Sequence, residues 1–333
     1  MPRKSCGRLK IISFDQINPA DRLFAVSLPW VPIDQLNYSV GKTGILSPLH
    51  VQRSLDGRFR IVIGFRRYLS CQNLGIQDIP CFIREQKDDL ALFVAALEDN
   101  LATRELHLLE KAKVLSKLRS EFKLSDDTIM GKFMPLIDIR ADRFHFNRYL
   151  GIAQLPEILQ RSLLDPLEPD IALKLSKWKE QEQVFFLQII SKFQLGKNKQ
   201  KQLFTVLDEL LALEKHVGSS FETRSLKEIW NECRAMDAGR IQSLSISEDY
   251  RRTFEALRRL RLPNLAKHEK IYEKLKAALK IPPQINFQAP PYFEGDKIDV
   301  GFSFADSDEL LKAATKLQDI AKTDELRKIL ALL

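Results

Sequence analysis

Two patterns of apolar and polar residues divide the chain into a short N-terminal part and a longer remainder. In residues 10–85, short runs rich in β-branched residues alternate with turn signals, which is typical of an α/β domain. From Leu90 onward, apolar residues recur at helical spacing over most of the chain, so the remainder is predicted to be mostly α-helical. The predicted strands are Leu9–Phe14, His50–Arg53, Phe59–Ile63 and Ile79–Arg84.

The end of the strand Phe59–Ile63 has the features of an anion site. Gly64 ends this strand, and the helical segment that starts at once ends at Gly75, a residue type common just after helix C-termini. Backbone N–H groups at such a helix start can bind an anion, and the helix dipole favours it. Arg66 and Arg67 add donors whose fork geometry suits phosphate. The alternative is a solvated basic helix face.

The end of the chain returns briefly to a strand pattern. Pro282-Pro283 breaks the helical region, and the residues near 284–304 predict two short strands around a turn. A final helix is predicted from Ser307, with Ser307 itself as the N-cap.

Charge adds a candidate partner to this picture. The 333 residues contain 52 Lys and Arg against 44 Asp and Glu, a net charge of +8, which favours a polyanion such as nucleic acid. Residues Tyr250–Lys280 alone hold ten basic and three acidic side chains. This stretch is a second candidate for phosphate contact, or a solvated helical surface.

Other classes of protein are disfavoured. No apolar run approaches the ~20 residues needed to span a bilayer, and the N-terminus does not resemble a secretory signal. A cytoplasmic protein with no membrane partner is therefore expected. The four cysteines form no C-x-x-C pair, which argues against a metal cluster or a disulfide framework. They are Cys6, Cys71, Cys81 and Cys233.

Three segments in order resemble boxes of the ParB partition-protein family. Gly44–Arg53 resembles the entry to the family's central hairpin, and Ile63–Tyr68 is similar to its G-E-R-R box. Glu98–Ala112 is similar to the family's E-N-x-x-R-x-D-L-x-x-(apolar)-E-x-A box. Each box is weak alone, but their order and separation together form a strong signal. The resemblance covers roughly residues 10–180.

The resemblance implies a nucleotide site for CTP with Mg²⁺, whose binding closes a clamp on DNA. Asp99 and Asn100 offer the hard oxygen ligands that suit Mg²⁺. Phe65 replaces the Glu of the second box, Leu69 its third Arg, and Thr103 the Arg of the third box, with Arg104 one place late. These departures argue against CTP hydrolysis, so an enzyme is not expected. The implied nucleotide-binding residues are Arg53, Gly64, Phe65, Arg66, Arg67, Asn100 and Arg104.

A helix-turn-helix for DNA is implied after the third box. Phe122–Ile129 resembles the start of its first helix, and Leu155-Pro156-Glu157 resembles the segment after its second. Between these anchors the chain is about six residues longer than a compact motif. The second helix is predicted at Arg140–Leu150, and its candidate phosphate and base contacts are Arg140, Arg143, His145, Asn147 and Arg148. The alternative is a solvated basic helix whose core face is Ile139, Phe144, Phe146 and Leu150.

The expected fold is α+β, with three regions. Residues 1–95 would form a small ParB/sulfiredoxin-like α/β nucleotide-binding domain, and residues 96–180 a helix-turn-helix-like DNA-binding region. Residues 181–333 would form a mostly helical C-terminal domain with a short β-hairpin near 284–304, a candidate for dimerisation. The expected partners are double-stranded DNA, a second copy of the chain and a partition ATPase.

Three functions remain open from the sequence. The first is a CTP-responsive protein of chromosome or plasmid partition, or of nucleoid organisation, located on the nucleoid. The second is a ParB-like transcriptional regulator without a nucleotide switch, which nucleotide binding would distinguish from the first. The third is an enzyme on the same scaffold. A sulfiredoxin is disfavoured because Phe65 stands where that family has its nucleophilic Cys, and a phosphotransferase lacks an identifiable acidic base.

Overall fold

A computed structural model describes residues 8–30, 32–85, 88–217, 224–235, 245–293 and 295–333. The chain forms two compact units, Met1–Trp178 and Lys179–Leu333. Among the described residues, every helix is too short or too polar to cross a membrane. The thiols of Cys71, Cys81 and Cys233 are free and buried, and Cys6 lies outside the described residues.

A five-stranded sheet forms the centre of the first unit. Its strands are β1 (Leu9–Ser13), β2 (Ile17–Asn18), β3 (Leu49–Arg53), β4 (Phe59–Ile63) and β5 (Asp78–Arg84). They lie in the order β1-β5-β3-β4-β2. β3 pairs antiparallel with β4 and parallel with β5, β1 pairs antiparallel with β5, and β2 pairs parallel with β4. The sheet confirms the four predicted strands to within a residue. β2 was not predicted, because two residues carry no period-two pattern.

Three helices accompany this sheet: α1 (Asp34–Thr43), α2 (Phe65–Leu74) and α3 (Asp89–Thr103). Two of them, α2 and α3, pack against the sheet, and the third, α1, packs against α2. Apolar residues alternate along the central strands, so Leu49 and Val51 of β3 are fully buried while His50 between them is not. The core between sheet and helices includes Ile61, Tyr68, Ile79, Phe93 and Leu97.

A single residue, Gly64, connects β4 to α2. Gly64 has φ 106° and ψ 24°, a backbone conformation that only glycine adopts readily. A Cβ at this position would lie 3.0 Å from Cγ of Leu49 and 3.3 Å from Nε of Arg67. Gly75 ends α2 with φ 69°, as its residue type predicts.

The helical part of the first unit begins with α4 (Leu108–Ser120), which packs against α7 (Arg143–Ala153). The short helix α5 (Asp126–Thr128), a π-helical turn (Ile129–Phe133) and α6 (Met134–Leu136) follow one another without a break. Pro135 therefore does not interrupt the helix. The backbone N–H of Met134 donates to the carbonyl of Ile129, five residues back. The helical hydrogen bonds thus change to the wider π-helical spacing just before Pro135, which has no N–H to donate. Two further helices are α8 (Glu157–Ser162) and α9 (Pro169–Leu175).

The prediction of a second helix starting at Arg140 is wrong. Asp142 is the N-cap, because its carboxylate accepts from the backbone N–H of His145, so Arg140 lies in the preceding turn. The proposed core face also needs a correction. Ile139, Phe146 and Leu150 are buried, but Phe144 is 73% exposed. Phe144 is two residues from Phe146, about 200° around the helix, and so points to the other side.

The described residues of the second unit form helices and one hairpin, as predicted. β6 (Ile285–Gln288) and β7 (Asp299–Phe302) pair antiparallel, and Phe287 packs with Tyr272 in a small core. Asp306 rather than Ser307 caps the next helix, because its carboxylate accepts from the N–H of Glu309. The helices are α10 (Glu180–Lys192), α11 (Lys197–Val217), α12 (Leu226–Ala235), α13 (Ile246–Arg261), α14 (Pro263–Ala278), α15 (Ser307–Ala321) and α16 (Asp324–Leu330).

Gly64→Ala should destabilise the first unit by about 1–3 kcal/mol, because alanine is strained at φ 106° and its Cβ would crowd Leu49. Urea unfolding measures the change. Gly131→Ala is the matched control, since an added Cβ there has no neighbour within 4 Å and φ is not positive. Equal stability of the two variants would show that the turn tolerates a side chain.

Candidate functional site

A pocket of about 510 Å³ opens in the first unit where β4 ends and α2 begins. Its walls come from the loop after β2, from α1, from the start of α2 and from the end of α3. The lining residues are Phe24, Val26, Ser27, Gln35, Leu36, Ser39, Ser47, Val62, Gly64, Phe65, Arg66, Arg67, Asp99, Asn100, Thr103 and Arg104. Six of the seven residues predicted to bind a nucleotide thus line one pocket, together with Asp99.

The start of α2 supplies backbone donors to this pocket. The first hydrogen bond of the helix runs from the N–H of Tyr68 to the carbonyl of Gly64, so the preceding N–H groups have no place in the ladder. Because the N-cap is a glycine, no side chain caps them. These N–H groups and the helix dipole make the floor of the pocket attractive to an anion.

The two arginines of this helix have different surroundings. Arg67 donates from Nη1 to the carbonyls of Ser47 and Pro48, at 2.6 and 3.0 Å, and thereby holds the loop before β3. Burial lowers the pKa of Arg67, and the nearby Asp99 carboxylate acts in the opposite direction. Arg66 makes one long contact, 3.4 Å to the carbonyl of Pro32, and its buried Nε has no hydrogen-bond partner among the described residues. Arg66 is therefore the guanidinium with donors to offer a ligand.

The end of α3 contributes a connected polar network. Nη2 of Arg104 donates to Oδ1 of Asn100 and to Oγ of Ser27, both at 3.1 Å. The same guanidinium forms a two-pronged ion pair with Glu110, at 2.6 and 2.9 Å, and Glu110 is only 2% exposed. Arg104 is thus held on the pocket wall by a buried carboxylate at the start of α4.

The two predicted metal ligands are neighbours, but only Asp99 carries a charge, since Asn100 is a neutral carboxamide. Oδ1 of Asn100 already accepts from Arg104, and its Nδ2 donates to the carbonyl of Ala96 at 2.8 Å. Asp99 is the only carboxylate among the described residues that line the pocket. No group of three or more metal-ligating side chains occurs in the described parts of the chain. One carboxylate suits Mg²⁺ where phosphates and water complete the shell.

Arg53 is not brought to the pocket, contrary to the sequence prediction. It lies at the far end of β3, paired with Phe59, whereas Gly64 follows the opposite end of β4. At ~3.3 Å per residue, four residues of strand separate Arg53 from the pocket end by about 13 Å. Its guanidinium stacks instead on the ring of Phe59, 5.3 Å from the centroid.

Phe65 lines the pocket, but it contributes no carboxylate there. Its side chain is buried in the core, with the guanidinium of Arg22 5.3 Å from the ring centroid. The carboxylate that the family box has at this position is therefore replaced by an apolar contact. Burial also lowers the pKa of Arg22.

Several residues of the site were missed by the sequence analysis. Ser27, Gln35, Ser39 and Ser47 line the pocket from segments without a recognisable pattern. Lys117 was also missed. Its buried ammonium donates to the carbonyls of Arg22, Leu23 and Ala25, and this holds the loop that carries Ser27. Burial lowers the pKa of Lys117 to about 8. No local sequence signal could identify these contacts, since they join residues far apart in the chain.

The predicted DNA-contacting residues lie together around the start of α7, but each basic one is paired with an acid. Arg140 contacts Asp142 at 3.0 Å, and His145 contacts the same carboxylate at 2.8 Å. Arg143 pairs with Asp126 at 2.7 Å, and Arg148 with Asp170 at 2.8 Å. Asn147 is exposed and has no hydrogen-bond partner within the described residues. The helix surface is therefore close to neutral, and in each Arg–Asp pair one side chain is more than half exposed.

Arg104→Met should lower the free energy of unfolding by about 3 kcal/mol, because it leaves the buried Glu110 without its cation. The exposed pair Arg58–Asp56 is the control, and Arg58→Met should cost less than about 1 kcal/mol. Denaturant unfolding measures both. The idea fails if the two substitutions cost the same.

His50 should make the first unit less stable as pH falls. Burial, then the positive charges of Arg84 and Arg67, lower its pKa from 6.5 to about 4. The unfolded chain therefore binds a proton more readily, so stability is full above pH 6.5 and is lost as pH falls toward 4. Urea unfolding at pH 7.5 and pH 5 should show a smaller difference for His50→Gln than for the parent chain. An unchanged difference would contradict this.

Most of the residues that line the pocket lie in a part of the chain that matches a known family domain. The model of the ParB N-terminal domain matches residues 5–101, which include the sheet, α2 and most of α3. A probable chromosome-partitioning protein ParB of Vibrio cholerae is 25% identical over 227 residues, 68% of this chain and 75% of that protein. The corresponding Pseudomonas putida protein is 32% identical over 97 residues, 29% of this chain and 33% of its own length. The match thus covers three quarters of the Vibrio protein but only one third of the Pseudomonas protein.

Among solved structures, two similar chains are C-terminally truncated ParB from Caulobacter crescentus. The one complexed with CTP-γ-S is 22% identical, with a TM-score of 0.27, and the match covers 55% of this chain and 99% of that one. The one complexed to the centromeric parS site is 21% identical, with a TM-score of 0.32, and the match covers 59% and 98%. The sequence comparisons show a ParB N-terminal domain at residues 5–101 and a similarity to chromosome-partitioning proteins ParB that extends over 68% of the chain.

Proposed function

We propose that the chain is a CTP-responsive DNA-binding protein of DNA partition or nucleoid organisation. CTP would bind in the pocket at the start of α2, and double-stranded DNA would bind along α7. The observation that carries the proposal is the buried Nε of Arg66, a donor that has no partner among the described residues and lies beside a helix start within the ParB N-terminal domain. Buried donors without a partner are rare, so a ligand that accepts from this one is expected.

The pocket suits a nucleoside triphosphate in size and charge. Its volume of about 510 Å³ lies in the range of small-molecule sites. The α2 N–H groups and Arg66 would take the phosphates, and Asp99 would hold Mg²⁺ through its carboxylate. The curated relatives are named for chromosome partitioning, and one Caulobacter relative has been crystallised with CTP-γ-S.

The pocket is also connected to the DNA-binding candidate within the first unit. Asn100 and Ser27 line the pocket and contact Arg104, which pairs with Glu110 in the first turn of α4. α4 in turn packs along α7. A ligand that rearranges Arg104 would therefore act on the helix that supports the DNA-binding surface.

DNA binding by α7 is supported by ion pairs that can change partners, since one side chain of each Arg–Asp pair is more than half exposed. Such solvent-accessible pairs contribute little to stability, so a phosphate can replace the carboxylate at low cost. The Caulobacter relative bound to a parS site supports DNA as the partner. A second copy of this chain and a partition ATPase are further proposed partners, and the nucleoid is the proposed location.

A regulator that binds DNA without a nucleotide switch is the second candidate function. Phe65 in place of a carboxylate and the commitment of Arg104 to Glu110 favour it. An enzyme has less support, because Asp99 is the single carboxylate among the described pocket residues.

Equilibrium binding of labelled CTP to the full chain tests the proposal, with ATP and GTP as competitors and with or without duplex DNA. Arg66→Ala should weaken CTP binding roughly 10- to 100-fold, as expected for a lost charge-assisted hydrogen bond. Arg53→Ala is the matched control: the same residue type on the same sheet, about 13 Å from the pocket end, should leave the affinity unchanged.

Three results would speak against the CTP-responsive function. DNA binding without saturable CTP binding would favour the regulator. Equal losses in the Arg66 and Arg53 variants would place the nucleotide elsewhere. Turnover of nucleotide, measured as steady phosphate release, would favour the enzyme.

A further inference from the structure

Phe144 is an exposed aromatic residue at the start of α7. Its ring is 73% exposed and makes a T-shaped contact with His145, with the ring centroids 5.4 Å apart. It is the second residue of the helix, after the N-cap Asp142. A single exposed apolar side chain is ordinary on a protein surface, so its meaning depends on its neighbours.

The neighbours of Phe144 are polar groups suited to DNA. Asn147 lies one turn further along the same face, exposed and without a hydrogen-bond partner in the described residues. Arg143 precedes Phe144 in the helix and Arg140 lies in the turn before it, with side chains 58% and 81% exposed, and their partners Asp126 and Asp142 are 26% and 32% exposed. An apolar ring beside two exposed cations and an exposed carboxamide has the pattern of a base-reading surface rather than of a protein interface, whose core is depleted in charge.

The position on the helix also agrees with base contact. α5, the π-helical turn and α6 form the first helical segment, and α7 the second, as in a helix-turn-helix. In that motif the first residues of the second helix reach the base edges of the major groove. The minor groove, about 6 Å wide, does not admit a helix of about 10 Å diameter.

We propose, on the basis of the DNA-binding function above, that Phe144 contacts the C5-methyl group of a thymine in the major groove. Asn147 would bind the adenine of the same or the adjacent base pair through N6 and N7, the contact that a carboxamide makes best. The pair of side chains thus gives the protein a preference for A·T pairs at this position. Arg140 and Arg143 contact the flanking phosphates.

Thymine-to-uracil replacement tests this contact, because it removes only the methyl group. The preferred duplex is first selected from a random pool with the full chain at fixed salt. Each thymine of that duplex is then replaced by uracil. Wild-type affinity should fall about fourfold at one position, the effect of one buried methyl-sized group. Phe144→Ala should bind the thymine and uracil duplexes equally, while Phe144→Leu should keep part of the difference.

Leu136→Ala is the matched control, since Leu136 is also an exposed apolar residue but lies outside α7. It should retain the wild-type preference for thymine. The inference is overturned if no uracil replacement weakens wild-type binding, or if Phe144→Ala still distinguishes the two bases. It is also overturned if the selected pool has no sequence preference although DNA binds. Absence of any DNA binding would instead overturn the DNA-binding function itself.

Discussion

The first unit depends on one buried carboxylate. Glu110 is almost completely enclosed, and a charge removed from water must be paired and hydrogen-bonded to be tolerated. Arg104 supplies two donors, and the backbone N–H of His107 supplies a third at 2.9 Å. Because Arg104 ends α3 and His107 caps α4, this ion pair fixes the corner between the two helices. The same guanidinium reaches Ser27 and Asn100, so the wall of the pocket depends on the pair as well.

The architecture of the first unit follows from local signals, and these are readable in the sequence. Period-two runs give the four longer strands, and Gly64 and Gly75 mark the ends of α2 because the backbone there has positive φ. The roles of the basic residues are not readable in this way. Arg66 and Arg67 are adjacent and chemically equal. They differ because the carbonyls of residues 47–48 lie close to Arg67 and accept its hydrogen bonds. Arg53 likewise belongs to a family-like box but lies on the wrong end of its strand.

The DNA-binding candidate shows how a cap can displace a predicted boundary. The basic residues from Arg140 onward suggested a helix start there, but Asp142 is the better N-cap because its carboxylate accepts from a backbone N–H. The helix that results turns Phe146 and Leu150 inward and leaves Phe144 outside. The acids that pair with its arginines could not be foreseen, since Asp126 and Asp170 come from segments 17 and 22 residues away. These aspartates keep the surface of α7 near neutral in the absence of DNA, and a DNA phosphate would have to replace them as partners of the arginines.

Arg104 links the pocket to α4, because a bound anion and Glu110 would compete for the same guanidinium. An anion that drew this guanidinium toward the pocket would leave Glu110 uncompensated, and the cost of an unpaired buried charge is several kcal/mol. The ligand therefore either leaves Arg104 in place and binds through Arg66 and the N–H groups of α2, or it forces the start of α4 to rearrange so that Glu110 reaches solvent. In the second case whatever stabilises the rearranged α4 must strengthen ligand binding by the same factor, because coupling between two sites is reciprocal.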